Sequence, residues 1–113
     1  MIPGGGTFGM ESIARRFAND QHLLITRNGW FSFRWREILE KGEIAANTTV
    51  LAAQRKDSAG SKQMAPVDPA SLDQVGATVR KEKPAFVFVP HVETSAGMTL
   101  PDSIIKAVSD AVH

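Results

Sequence analysis

The sequence predicts an α/β fold, a parallel sheet of about three strands flanked by helices. Short apolar runs at 23–26, 50–53 and 85–89 have the length and composition of strands, and segments of helical periodicity alternate with them. Such alternation is typical of a parallel sheet covered by helices on both faces. The 113 residues are enough for one domain with a modest core.

A glycine run leads into the first predicted helix. Gly-Gly-Gly-Thr at 4–7 precedes an apolar stripe at helical spacing, which predicts a helix from about Phe8 to Ala18. The stripe consists of Met10, Ile13, Ala14 and Phe17. Glycine permits close approach of a ligand, and a helix N-terminus offers unpaired N–H groups, so this stretch predicts an anion site, most often for phosphate. A flexible terminus remains the alternative, because the run lacks Walker spacing and no predicted strand precedes it.

The next elements are a strand, a turn, a helix and a second strand. His22–Thr26 is a short apolar run of the kind found in buried parallel strands. Arg-Asn-Gly at 27–29 breaks it, and the following segment predicts a helix at Trp30–Lys41. Its apolar face consists of Phe31, Trp35, Ile38 and Leu39. Thr48–Ala53 predicts the second strand.

The second half of the sequence begins with a polar connection at 54–67. It is interpreted as a surface loop or as a segment that lies on another part of a larger protein. Asp68 as N-cap and Pro69 as the first helical residue then predict a third helix, which ends before Pro84. The predicted core side of this helix consists of Leu72, Val75 and Val79.

The clearest strand prediction is Ala85–Val89, followed by a polar loop at 91–97. Pro101 and Asp102 open a last predicted helix. The face assigned to its core side consists of Ile105, Val108 and Val112.

Composition excludes several classes of function. A net charge of +1 gives no electrostatic basis for binding nucleic acid or an anionic membrane surface. The sequence has no cysteine, which rules out disulfides and thiolate metal sites and fits a reducing compartment such as the cytoplasm. The longest apolar run is too short to cross a bilayer, and the start has neither signal-peptide nor transit-peptide character. No metal site is predicted.

Three loops are expected to meet at one edge of the sheet. In open parallel sheets, ligands bind beyond the carboxyl ends of the strands. That edge holds the glycine loop at 4–7, the turn at 27–31 and the polar loop at 91–97.

These three loops carry a family resemblance. Gly-Gly-Gly-Thr-Phe-Gly-Met-Glu at 4–11 resembles the phosphate loop of class V aminotransferases of pyridoxal-phosphate fold type I. Arg-Asn-Gly-Trp-Phe at 27–31 resembles their Asn-Gly-x-aromatic turn, and Pro-His-Val-Glu-Thr-Ser-Ala-Gly at 90–97 resembles their most specific loop motif. The order and spacing match over the whole chain, and the alanine–glyoxylate and serine–pyruvate group is the most similar branch. The resemblance also implies that the first of the three predicted strands lies between the other two.

The resemblance implies a cofactor, pyridoxal 5'-phosphate, and a set of residues that bind it. Gly5, Gly6 and Thr7 would hold the phosphate, mainly through backbone N–H groups. Phe31 would stack on the pyridine ring, with Trp30 as the alternative one position away. Thr94 would form a hydrogen bond near the phenolic oxygen of the cofactor.

Supporting roles fall to His91 and Glu93, which match the third motif. Simpler interpretations stay open for these residues. One alternative is that Glu93 caps a backbone turn and that His91 is an ordinary loop histidine. Another is that Trp30 and Phe31 are core aromatic residues of an amphipathic helix, which is the more common case for any single aromatic residue.

One departure from the family concerns catalysis. The resemblance implies a lysine that forms a Schiff base with the cofactor and an aspartate that pairs with the ring nitrogen, both on strands beyond the last residue. The six lysines of this chain lie in predicted loops or helices: Lys41, Lys56, Lys62, Lys81, Lys83 and Lys106. No catalytic residue is therefore assigned. Residues 1–113 are expected to be a fragment of the large, cofactor-binding domain, inactive alone.

In such an enzyme the complete protein transfers an amino group from an amino acid to a 2-oxo acid such as glyoxylate or pyruvate. The resemblance also implies a homodimer for the full-length family. The alternative is a small α/β module that binds phosphate or a nucleotide without covalent catalysis, and a bare interaction domain is a third possibility.

Overall fold

The computed structural model of the chain describes residues 3–55 and 67–112. In chain order its elements are α1 (Gly6–Phe17), β1 (His22–Arg27), α2 (Trp30–Lys41), β2 (Asn47–Ala52), β3 (Gln54–Arg55), β4 (Val67–Asp68), α3 (Leu72–Glu82), β5 (Phe86–Phe88), β6 (Val92–Glu93), a 3-10 turn (Thr94–Ala96), β7 (Met98–Thr99) and α4 (Asp102–Val112). The α/β fold predicted from the sequence is confirmed.

The main sheet is parallel and has the strand order β2-β1-β5. Leu24 in β1 lies opposite Thr49 in β2 and Val87 in β5. The predicted arrangement, with the first strand between the other two, is therefore confirmed. Two short antiparallel pairs, β3 with β4 and β6 with β7, lie outside this sheet.

Side-chain alternation along β1 divides the core into two layers, because successive residues of a strand point to opposite faces of the sheet. Leu23 and Ile25 are fully buried on one face, and Leu24 is fully buried on the other. The first layer joins α1 and α2 to the sheet through Ala14, Ala18, Leu23, Ile25, Leu39 and Ile44. The second joins α3 and α4 to it through Leu24, Ala70, Val75, Val79, Leu100, Ile104 and Val108.

The second helix has the predicted bounds, and the third begins later than predicted. The N-cap of α3 is Ser71, whose hydroxyl accepts the N–H of Gln74 at 3.2 Å, while the Gln74 side chain accepts the N–H of Ser71 at 3.1 Å. This reciprocal capping box satisfies two backbone donors. Asp68 instead pairs with Gln54 in the β3–β4 ladder, so its assignment as N-cap and that of Pro69 as the first helical residue were wrong.

Other expectations about buried faces also need correction. In α4, Ile104 joins Val108 in the core, whereas Ile105 and Val112 are exposed. Leu72, expected on the core side of α3, is 42% exposed because it is the first residue of that helix. In α1 the stripe reaches the core through Ala14, while Ile13 and Phe17 stay exposed.

The bounds of the first and last core strands differ slightly from prediction. β1 extends to Arg27, and β5 is limited to Phe86–Phe88. Most of the connection predicted at 54–67 lies outside the described residues, and its two ends form β3 and β4. None of the helices within 3–55 and 67–112 combines the length and hydropathy needed to cross a membrane.

Candidate functional site

The three motif loops lie together at the carboxyl edge of the main sheet. α2 follows the end of β1 after Asn28 and Gly29, and the β6–β7 hairpin follows β5. The N–H of Trp30 donates to the Ser95 hydroxyl at 2.7 Å, which ties the hairpin to the first turn of α2. The glycine loop reaches the same turn, because Gly6, Thr7 and Phe31 line one cavity.

A buried carboxylate joins the hairpin to α2. Glu93 is only 1% exposed, and its side chain lies at the N-terminus of that helix. One carboxylate oxygen accepts the N–H of Phe31 at 3.0 Å, and the other accepts the N–H of Ser32 at 2.9 Å and its hydroxyl at 2.7 Å. The Ser95 hydroxyl also donates to Glu93. Glu93 thus satisfies backbone donors that have no partner within the helix and places negative charge at the positive end of its dipole.

The environment of Glu93 favours its charged form. Burial acts to raise the pKa of this carboxyl group. Hydrogen bonds from the Ser95 hydroxyl, the backbone of Ser32 and Phe31, and the Ser32 hydroxyl act in the opposite direction, and the net shift of the pKa is downward. The carboxylate is therefore ionised at neutral pH. Of the alternatives left open for Glu93, this geometry shows capping of backbone N–H groups, at the N-terminus of α2.

Gly29 allows the carboxylate to come this close. A Cβ atom added there would lie 2.6 Å from Cγ of Glu93 and 2.6 Å from the Ser95 hydroxyl oxygen, both far inside van der Waals contact. The φ angle of Gly29 is 179°, which any residue adopts. The requirement for glycine is therefore steric.

A cavity of about 440 Å³ lies between the first turns of α1 and α2, lined by Gly6, Thr7, Met10, Phe31 and Arg34. Phe31 is 53% exposed and supplies an aromatic wall. The N-cap of α1 is Gly5, which has no side chain that can cap the helix. Because α1 starts at Gly6, its first N–H groups have no acceptor within the helix. The cavity therefore combines an uncapped helix N-terminus, an aromatic residue and an arginine.

The two helix N-termini at this edge differ in what they can bind. The N-terminus of α2 is occupied by the Glu93 carboxylate, so a second anion there would meet like charge. The N-terminus of α1 faces the cavity without a capping side chain. An anionic ligand is therefore favoured at α1.

The structure brings together some of the predicted cofactor residues and separates others. Gly6, Thr7 and Phe31 share the cavity, and Gly5 precedes them in the chain. Thr94 is exposed in the 3-10 turn and is not among the residues that line the cavity.

Two residues considered alongside them lie outside the cavity. Trp30 stacks on Phe33 with 5.8 Å between ring centroids, so Phe31 is the aromatic residue that shares the cavity with the glycine loop. His91 is an exposed loop residue with Nε2 3.9 Å from a carboxylate oxygen of Asp102.

Sequence reasoning missed three polar residues at this edge. Ser32 accepts the N–H groups of Asn28 and Gly29 at 2.8 and 2.9 Å, and a serine at the third position of a helix is a recognisable capping signal. Arg34 lies one helical turn beyond Phe31, which is the only signal the sequence offers for it. Asn28 is buried, and its side-chain N and O atoms have no hydrogen-bond partner within the described part of the chain.

No lysine of the described ranges lines the cavity. Lys41 ends α2, Lys81 and Lys83 lie at the end of α3, and Lys106 is exposed on α4. Lys56 and Lys62 lie outside the described residues. Within 3–55 and 67–112, no cluster of histidine and carboxylate residues is suited to holding a metal ion.

Comparisons with protein-family models and with curated proteins gave no match to this chain.

Proposed function

We propose that this chain is a cofactor-binding segment of a pyridoxal-phosphate-dependent aminotransferase of class V. The complete enzyme would transfer an amino group from an amino acid to a 2-oxo acid such as glyoxylate or pyruvate. The observation that supports this most is the meeting of three motif loops, far apart in sequence, at one sheet edge. A single cofactor site formed by the three loops requires that convergence.

The cavity fits the cofactor in size and in the chemistry of its walls. Its volume of about 440 Å³ lies within the usual range of roughly 300–1,000 Å³ for small-molecule sites. The phosphate would be held by the N–H groups of Gly6 and Thr7, with Gly5 allowing close approach, and the ring would lie on Phe31. When bound, pyridoxal phosphate supplies an electron sink for amino-group transfer. Thr94 does not line this cavity.

The chain's own contribution would be binding and orientation. Glu93 fixes the N-terminus of α2 and with it the backbone of Phe31. None of the described lysines is placed in the cavity to bind the cofactor covalently. We therefore expect the isolated chain to bind the cofactor without catalysing transamination. The homodimer is proposed only for the complete enzyme, as the resemblance implies.

The test is calorimetric titration with pyridoxine 5'-phosphate, which has an alcohol in place of the aldehyde and cannot react with lysines. We expect saturable binding that Phe31→Ala weakens about threefold to tenfold, because aromatic stacking contributes about 0.5–1.5 kcal/mol. Phe17→Ala is the matched control: Phe17 is 54% exposed, like Phe31, but lies at the other end of α1. Absence of binding to the unmodified chain would refute the proposal.

A second candidate function is a phosphate- or nucleotide-binding module without covalent chemistry. It is favoured by the uncapped N-terminus of α1 and by Arg34 at the cavity, because these suit a phosphate group of any kind. The two candidates differ in ligand preference. A module of this kind would bind inorganic phosphate or a nucleoside phosphate at least as tightly as pyridoxine 5'-phosphate, whereas an aminotransferase segment would prefer the pyridine ligand.

A further inference from the structure

We propose that Arg34 is the side-chain ligand for the phosphate of the molecule that occupies the cavity between α1 and α2. The inference rests on the proposed function and adds to it a residue that none of the three motif assignments includes. Arg34 lines the same cavity as Gly6, Thr7 and Phe31, so one space is bordered by this arginine, by the start of α1 and by an aromatic residue.

The charge of the ligand requires more than the helix supplies. A phosphate monoester carries about −1.5 to −2 charges at neutral pH, whereas a helix N-terminus is equivalent to roughly +0.5 charge. The remaining walls, Met10 and Phe31, are apolar and compensate none of this charge. Arg34 is the residue lining the cavity that carries a full positive charge, and its planar fork of donors matches phosphate oxygens.

The contacts that Arg34 makes within the protein leave its guanidinium group available to bind a phosphate. Its Nε lies 3.7 Å from a Glu37 carboxylate oxygen, which is longer than a hydrogen bond. Glu37 has a better partner in Lys41, whose Nζ lies 2.9 Å from its other oxygen. Glu37 therefore keeps an ion pair when Arg34 turns to a ligand. Arg34 also borders a second cleft, lined in part by Glu11 and Arg15, which form an ion pair with each other.

The inference predicts an effect that depends on the phosphate of the ligand. We expect Arg34→Gln to weaken binding of pyridoxine 5'-phosphate about tenfold to a hundredfold, the range for a hydrogen bond to a charged group. Binding of pyridoxine, which has the same ring without the phosphate, should be unchanged within twofold. Arg34→Lys should recover part of the loss, since it restores the charge but not the fork.

Arg36→Gln is the matched control. Arg36 lies on the same helix, its side chain is 38% exposed like that of Arg34, and it pairs with Glu40 at 2.6 Å without lining the cavity. Its replacement should change neither affinity. Circular dichroism of each variant shows whether the fold is kept, and the 31P shift of the bound ligand gives a second measurement. The second ionisation of the bound phosphate should occur at lower pH in the unmodified chain than in Arg34→Gln.

The possible outcomes separate the two proposals. Equal loss of both ligands in a folded Arg34→Gln variant, or no loss of either, overturns the role of Arg34 and leaves the proposed function standing. Failure of the unmodified chain to bind either ligand overturns the proposed function, and the role of Arg34 falls with it. Selective loss of the phosphorylated ligand supports both.

Discussion

Replacement of Glu93 by Gln should destabilise the fold by about 1.5–4 kcal/mol. The variant keeps the size of the side chain but removes its charge and turns one acceptor oxygen into a donor. In the native site each carboxylate oxygen accepts one backbone N–H, from Phe31 or from Ser32. One of these buried donors therefore loses its acceptor, at a cost of about 1–3 kcal/mol. Loss of the charge at the helix N-terminus adds about 0.5–1 kcal/mol. The serine hydroxyls can rotate to accept from the new amide and add little.

This loss is large against a total stability of about 5–15 kcal/mol for a domain. Urea unfolding at pH 7, followed by the fluorescence of Trp30 and Trp35, measures it directly. Glu40→Gln is the control, because it removes a surface ion pair with Arg36 and should change the free energy of unfolding by no more than about 0.5 kcal/mol. A Glu93→Gln variant as stable as the control would refute the assigned role of the carboxylate.

The effect should also depend on pH in a defined direction. The pKa of Glu93 in the folded chain lies below its ordinary value of 4.5, so the unfolded chain binds more protons in the interval between the two values. The stability that the charge contributes is complete above about pH 4.5 and is lost as the pH falls through the folded pKa. Unfolding curves of the unmodified chain and of Glu93→Gln should therefore converge in acid. A difference that stays constant down to pH 2 would contradict this reasoning.

Three further predictions concern the hairpin contact, the sheet edge and catalysis. Gly29→Ala should lower the free energy of unfolding by about 1–3 kcal/mol, because its Cβ would overlap Glu93 and Ser95. Gly9→Ala is the control: it lies inside α1, its Cβ would meet no atom within 4 Å, and it should not lower that free energy in thermal unfolding. The isolated chain should associate through β5, because β5 is an edge strand of the main sheet and Phe86 is 37% exposed there. Phe86→Lys should reduce that association in light scattering, and association unchanged by the lysine would exclude this edge as the contact. The isolated chain should show no transamination in a coupled assay. Replacing its six lysines one at a time should leave binding of pyridoxine 5'-phosphate intact. Activity that depends on one of these lysines would overturn the proposal that this chain binds the cofactor without reacting with it.

The architecture was predictable because it follows from local periodicity. For α2, the spacing of apolar residues and the Asn-Gly turn before the helix were enough to predict its bounds. The parallel sheet follows from alternating helices and strands, and the order of its strands was predicted through the family resemblance. The convergence of the three loops at the carboxyl edge follows from that topology, since every crossover returns the chain to the same edge.

The start of α3 was not predictable in this way. Asp68 and Pro69 form a strong local start signal, but pairing of Asp68 with Gln54, distant in sequence, places it in a strand instead. The helix then begins at the next available capping box, at Ser71. A contact between distant segments thus decided between two local signals.

The amino-acid sequence by itself determined the α/β class, the three parallel strands and the two glycine-containing turns at the candidate site. Only the tertiary structure decided which groups the charged side chains of this site contact. Glu93 belongs to a motif that the sequence identified, yet its role as the cap of α2 depends on how the hairpin after β5 packs on the helix after β1. Arg34 becomes part of the cavity only because α1 and α2 pack side by side. Hydrogen bonds and charges act over a few ångströms, so partners far apart in sequence are set by packing rather than by local pattern.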